Sequence, residues 1–259
     1  MEIVANLSML FTELPMLERI RAAAAAGFNA VEIQFPYEVP ALQLKEELQR
    51  CAMPLVLINL PAGDLMQGGD GLACHPKRRQ QFSNALDEAM SYALMVRPRM
   101  VNVLAGRLPA KVSRGRALAT LAANLRDAAQ AFDRLQIPVL CEAINPIDMP
   151  GFLINTPQHL QELLAEVQHP NCFAQLDVYH MARQGISTAQ ALAVLGKSVA
   201  HVQFADYPGR GEPGTGTLDF AAMRKALEQY GYSGAVAAEY RPSSSTLASL
   251  TWLKQPPFV

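Results

Sequence analysis

A chain of 259 residues, half of them hydrophobic and 17% charged, is rich enough in apolar surface to bury one large core. Its formal net charge of −1, with no basic stripe, argues against nucleic acid or an anionic membrane as a partner. Cys51, Cys74, Cys141 and Cys172 never form a C-x-x-C pair, so they read as small buried side chains in a reducing compartment.

The opening MEIVANLSMLF lacks the basic start of a signal peptide, and no apolar run reaches the roughly 20 residues of a membrane helix. A cytoplasmic protein is expected. In chain order, strands are predicted at 3–7, 30–35, 55–60, 100–104, 137–142, 172–177, 199–205 and 235–239. VEIQF, VLINL, VNVLA and HVQFA are apolar enough for strands covered on both faces. Helices alternate with them. One spans 14–26 and ends at Gly27, a residue that takes positive φ without strain. The stretch 113–135 reads as one outer helix, and Thr156 before Pro157 reads as an N-cap with proline at N1. Ser187 and Asp219 are further N-caps, and the tail is expected to turn helical before a loose Pro-Pro end. Eight strands in βα alternation predict an α/β fold, a single-domain (β/α)8 TIM barrel over 1–259. An open doubly wound sheet is the alternative, because periodicity does not show closure. Two long loops, 61–76 and 206–218, fall on the rim where barrel enzymes build active sites.

The polar residues at the strand ends carry the chemistry. Strand five ends on Glu142, strand six on Asp177 with His180 just beyond, and strand eight on Glu239 followed by Arg241. Strand seven carries His201 and Gln203. Carboxylates crowded at a barrel mouth cost several kcal/mol each to bury and repel one another. A divalent cation removes both penalties. Glu142, Asp177, Gln203 and Glu239 are therefore candidate ligands for a hard or borderline ion, Mg²⁺ or Mn²⁺. His201, two residues from Gln203, is expected to support that shell from behind. The loop PGRGEPGTG matches no phosphate motif; its glycines are expected to let it fold over the site with Arg210 and Glu212 facing substrate.

At these residues the chain resembles the hydroxypyruvate isomerase family, including its 2-oxo-tetronate isomerase branch, among the xylose-isomerase-like barrels. The resemblance runs from ANLSMLFTELP through AVEIQFPYE, LPAGD, CEAINP, QLDVYHMAR and HVQFADYPGRGEPGTG to AAEYRP. It implies that Glu142 and Glu239 are catalytic carboxylates that also bind the metal, with Asp177 and Gln203 completing the ligands. It further implies that His180, Arg210 and Glu212 line the substrate pocket. Thr217 departs from the pattern, since many family members carry an acid there.

The expected reaction is metal-assisted isomerisation of a small hydroxy-oxo acid: hydroxypyruvate to tartronate semialdehyde, or a 2-oxo-tetronate. It would pass through a cis-enediolate, with the two glutamates serving adjacent carbons. Arg241 or Arg210 would neutralise the substrate carboxylate. A ketose 3-epimerase would use the same site. A metal-dependent phosphodiesterase would need more histidines and a basic groove, and a mere sugar-binding protein would not need two bases. Apolar rim residues leave room for a homo-oligomer.

Overall fold

The computed structural model describes residues 1–258. Within them the strands are β1 (Ile3–Asn6), β2 (Ala30–Ile33), β3 (Leu55–Asn59), β4 (Met100–Asn102), β5 (Val139–Glu142), β6 (Cys172–Asp177), β7 (Val199–Phe204) and β8 (Val236–Ala238). Each pairs in parallel with the next, and β8 pairs with β1, closing the barrel. Closure rules out the open sheet. Six strands end one or two residues earlier than expected because the chain leaves the ladder to build the rim, β5 and β6 end where expected, and β5 and β8 start later. Single hydrogen bonds carry the pairing one step further, as from Glu239 N to Phe204 O at 2.9 Å.

The outer helices are α1 (Met16–Ala26), α2 (Ala41–Arg50), α3 (Arg79–Val96), α4 (Arg114–Asp133), α5 (Pro157–Val167), α6 (Val178–Ala182), α7 (Thr188–Leu195) and α8 (Phe220–Gln229). Their starts follow local chemistry. The side chains of Ser113, Thr156, Ser187 and Asp219 each accept a backbone N–H of the first turn, and Ser187 closes a reciprocal capping box with Gln190. Such a cap contributes about 1 kcal/mol. Gly27 ends α1 at φ 95°, in the left-handed region expected of it. The inner face of α4 buries Ala117, Leu121, Leu125, Ala128 and Phe132. This spacing of three and four gives one apolar stripe against the barrel.

As far as Phe258 the C-terminal segment is packed against the barrel rather than loose. A 3-10 segment (Leu247–Lys254) seats Trp252, and Phe258 packs beyond it at 4.6 Å from that ring and 5.2 Å from Phe204. The correction has a simple cause: an aromatic ring offered an apolar cleft is buried even when prolines precede it. All four cysteines are free, with Cys74 and Cys141 buried and Cys51 and Cys172 half-buried. No helix among the described residues is long and apolar enough to cross a membrane.

Candidate active site and metal centre

Alternation along the strands sends every second side chain into the barrel. On β6 these include Gln175 and Asp177, and on β7 His201 and Gln203. Register then sets their heights, since Glu142 lies level with Gln175 and Asp177 with Gln203. Glu142, Gln203 and Glu239 line a cavity of about 470 Å³ at the strands' C-terminal end, together with Gln34, Arg107, Gln175, Tyr179, His180, Arg210 and Arg241. Glu142 and Glu239 are almost fully buried, as are Asp177 and Gln203.

Burial raises the proton affinity of Glu142 well above the usual carboxylate range, and the charges of Asp177 and Glu239 add to it. Glu239 is pushed up to about 8, chiefly by burial and despite the opposing charge of Arg210. Arg210 Nη2 stands 3.0 Å from Glu239 Oε1 and 3.5 Å from Asp177 Oδ2, while its guanidinium lies 5.1 Å from the centre of the Tyr179 ring. Burial disfavours its charge, but Glu239, Asp177 and Glu142 outweigh that and raise its pKa. Gln34 Nε2 donates to Glu239 Oε1 at 2.6 Å.

His180 is held in one tautomer. Asn145 Oδ1 accepts the backbone N–H groups of Ile147 and Asp148, so its amide nitrogen faces His180 Nδ1 at 2.6 Å as a donor. Nδ1 must accept, and the ring proton resides on Nε2, 3.5 Å from Asp177 Oδ2 and 3.9 Å from Glu142 Oε1. Burial lowers its pKa, which keeps the ring neutral and Nε2 a donor into the cavity.

The loop that delivers Arg210 is organised by Asp206. Its carboxylate accepts the backbone N–H groups of Tyr207, Gly214, Gly216 and Leu218 at 2.8–2.9 Å. Gly216 passes so close that a Cβ would sit 2.0 Å from Tyr207 O, which excludes any side chain there. Glu212 does not line the cavity. Expected to face substrate, Glu212 instead accepts the Ser243 N–H at 3.0 Å and the Ser243 hydroxyl, tying the loop to the segment after β8. Thr217 is exposed and donates its N–H to Tyr207 O at 2.7 Å. Arg241 lies exposed on the cavity rim.

His201 does not enter the cavity. Its Nε2 lies 2.7 Å from Glu32 Oε2, and the other oxygen of Glu32 accepts Gln203 Nε2 at 2.7 Å. Sequence reasoning missed Glu32, Gln34 and Gln175. Glu32 lies on β2 with Gln34 two residues on, just past its end, and Gln175 lies on β6 two residues before Asp177; that alternate spacing was the available signal.

Glu142, Asp177 and His180 offer atoms within 4.8 Å of one another, a group that could hold a metal ion; with its ring proton on Nε2, His180 leaves the ligation to the two carboxylates. The residues present fit a divalent cation on a further observation. Asp177 Oδ2 is buried without a hydrogen bond, with Arg210 Nη2 3.5 Å away as its charge partner, and so keeps lone pairs open to a further cation.

Known proteins resemble this chain over nearly its whole length. Residues 20–255 match the family model described as xylose isomerase-like TIM barrel. The chain is 38% identical over 249 residues to the hydroxypyruvate isomerase of Escherichia coli strain K12, covering 96% of each. It is likewise 38% identical over 250 residues to the 2-oxo-tetronate isomerase of Cupriavidus necator, again covering 96% of each. A crystal structure described as AP endonuclease, family 2, from Brucella melitensis superposes with a TM-score of 0.93 at 35% identity, covering 97% of each chain. The chain belongs to the xylose isomerase-like TIM barrel family, in the group of the hydroxypyruvate and 2-oxo-tetronate isomerases, and is an enzyme of the isomerase class.

Proposed function

We propose that this enzyme isomerises a small hydroxy-oxo acid, hydroxypyruvate or a 2-oxo-tetronate, with the aid of Mg²⁺ or Mn²⁺ held by Glu142, Asp177, Gln203 and Glu239. One observation carries the reading: two buried glutamates of raised proton affinity, on β5 and just past β8, line one cavity. A group that must take a proton from carbon and return it is helped by raised proton affinity, and in the metal-free protein burial raises it for both glutamates. When bound, the divalent ion supplies Lewis-acid polarisation of the substrate's carbonyl and hydroxyl oxygens.

The chain's residues do the rest. One of Glu142 and Glu239 removes the proton from the hydroxyl-bearing carbon, and the other delivers a proton to the former carbonyl carbon. The hydroxyl oxygen gives up its proton and becomes the new carbonyl oxygen, an aldehyde from hydroxypyruvate and a ketone from a 2-oxo-tetronate, while the former carbonyl oxygen gains one. The His180 Nε2–H is a neutral donor suited to a substrate oxygen. Arg210 and Arg241 offer guanidinium groups for the substrate carboxylate, which they can bind bidentately. The name borne by the Brucella structure would call for a phosphodiester. Among the described residues, however, His180 is the one histidine lining this cavity.

The test is a substrate panel. Purified enzyme with Mn²⁺ is given hydroxypyruvate, a 2-oxo-tetronate and a neutral ketose in parallel, and products are read by NMR. Conversion of hydroxypyruvate to its aldehyde isomer, or of the 2-oxo-tetronate to its 3-oxo isomer, is expected. Epimerisation of the ketose alone would refute the acid reading in favour of a 3-epimerase.

A further inference from the structure

Beneath the cavity floor lies a second layer of polar groups that the reaction itself does not use. Glu32, on β2, is 1% exposed and accepts three hydrogen bonds, each of 2.7 Å, from Asn6 Nδ2, His201 Nε2 and Gln203 Nε2. His201 and Asn6 are fully buried. A carboxylate buried this deeply is costly, so its three donors call for a purpose beyond packing.

That purpose follows from the symmetry of an amide. The two ends of a glutamine side chain are nearly equal in shape, yet only the oxygen can hold a cation. With nothing behind it, Gln203 could turn either end to the cavity. Glu32 removes the choice, because a carboxylate offers only acceptors and the amide NH₂ must face it. The oxygen is thereby aimed at the cavity, where Gln203 Oε1 now accepts Gln175 Nε2 at 2.6 Å and keeps a second lone pair. Gln175 Nε2 also donates to Glu142 Oε2 at 3.0 Å, so one chain of bonds links Glu32 through Gln203 and Gln175 to Glu142. His201 and Asn6 hold Glu32 still from the other side.

We propose that Glu32 is a positioning residue for the metal centre, fixing the amide of Gln203 so that its oxygen rather than its nitrogen faces the ion. The inference rests on the ligand set given under Proposed function. Groups behind a ligand typically set metal affinity by about ten- to a hundredfold. Glu32→Gln should therefore weaken Mn²⁺ binding at least about tenfold, because a glutamine there can accept the turned amide as readily as the native one.

The experiment is a double-mutant cycle on the full chain: wild type, Glu32→Gln, Gln203→Ala and the double variant. Folding of each is checked by circular dichroism, and Mn²⁺ affinity is measured from the free-ion electron paramagnetic resonance signal. Glu32→Gln should lose affinity on the wild-type background and nothing further on the Gln203→Ala background, where no amide remains to be aimed. Unchanged affinity in Glu32→Gln, or the same loss on both backgrounds, overturns the inference while leaving the metal site intact. Wild type that binds no Mn²⁺ overturns the ligand set first and this inference with it. If Glu32→Gln does not fold, Glu32→Asp replaces it in the same cycle with the same expected coupling, since its shortened side chain withdraws the oxygens from Gln203.

Discussion

Metal binding at this site should release protons, and the amount follows from the two glutamates. Without metal, burial holds Glu239 at about 8 and Glu142 well above its ordinary range, while His180 is shifted down and stays neutral. A carboxyl group must be ionised to act as a ligand, so the apparent affinity falls as protons compete. For Glu239 alone, with its pKa at about 8, the protonated form outweighs the ionised one by about a hundred to one at pH 6 and equals it at pH 8. Apparent Mn²⁺ affinity should thus rise about fifty-fold between pH 6 and pH 8, worth about 2 kcal/mol, and Glu142 steepens the rise. The assay is Mn²⁺ titration of chelator-stripped protein at half-unit pH steps, with proton release read by calorimetry in buffers of different ionisation enthalpy. A flat affinity over this range, or binding without proton release, would refute the reasoning.

The same groups give the metal-free protein an unusual stability profile. A folded pKa above the unfolded one means that the native state binds more protons between them, so stability is full below about 4.5 and falls as pH rises through about 8. The melting temperature of stripped protein should drop over that interval, and Mn²⁺ should restore more of it at pH 8 than at pH 6. Glu142→Gln and Glu239→Gln should each lower kcat about 10²- to 10⁴-fold with circular dichroism unchanged. Asp206→Ala removes the acceptor of four loop N–H groups, so it should raise KM and increase protease cleavage within 206–218. Phe258→Ala empties a cleft among Phe204, Phe220 and Trp252 and should destabilise the fold by about 3 kcal/mol in urea unfolding, with kcat unchanged.

Much of the barrel was legible because its signals are local. Apolar runs marked all eight strands, and Ser113, Thr156, Ser187 and Asp219 each announced a helix start that the side chain then performed. Glu142, Asp177 and Glu239 stood out as charges ending apolar strands, and the cavity brings Glu142 and Glu239 together with Gln203, His180, Arg210 and Arg241. What escaped depends on partners distant in sequence. Glu32 meets Gln203 across 171 positions, and Gln34 meets Glu239 across 205, so neither role can be read from its own strand. Glu212 was expected to face substrate, and its bonds to Ser243, 31 positions away, are a geometry that loop composition does not encode. The tail was judged by its prolines, whereas the cleft that receives Phe258 is assembled from β7, α8 and Trp252.

The central claim is tested most directly by following one hydroxy-oxo acid, hydroxypyruvate, with chelator-stripped enzyme in D₂O before and after Mn²⁺ is restored. The account predicts no turnover without the ion, then formation of tartronate semialdehyde with solvent deuterium entering at the carbon that was the carbonyl. Conversion at the full rate in stripped enzyme would contradict the metal-assisted account. Metal-restored enzyme that leaves hydroxypyruvate and a 2-oxo-tetronate both untouched would contradict the substrate class.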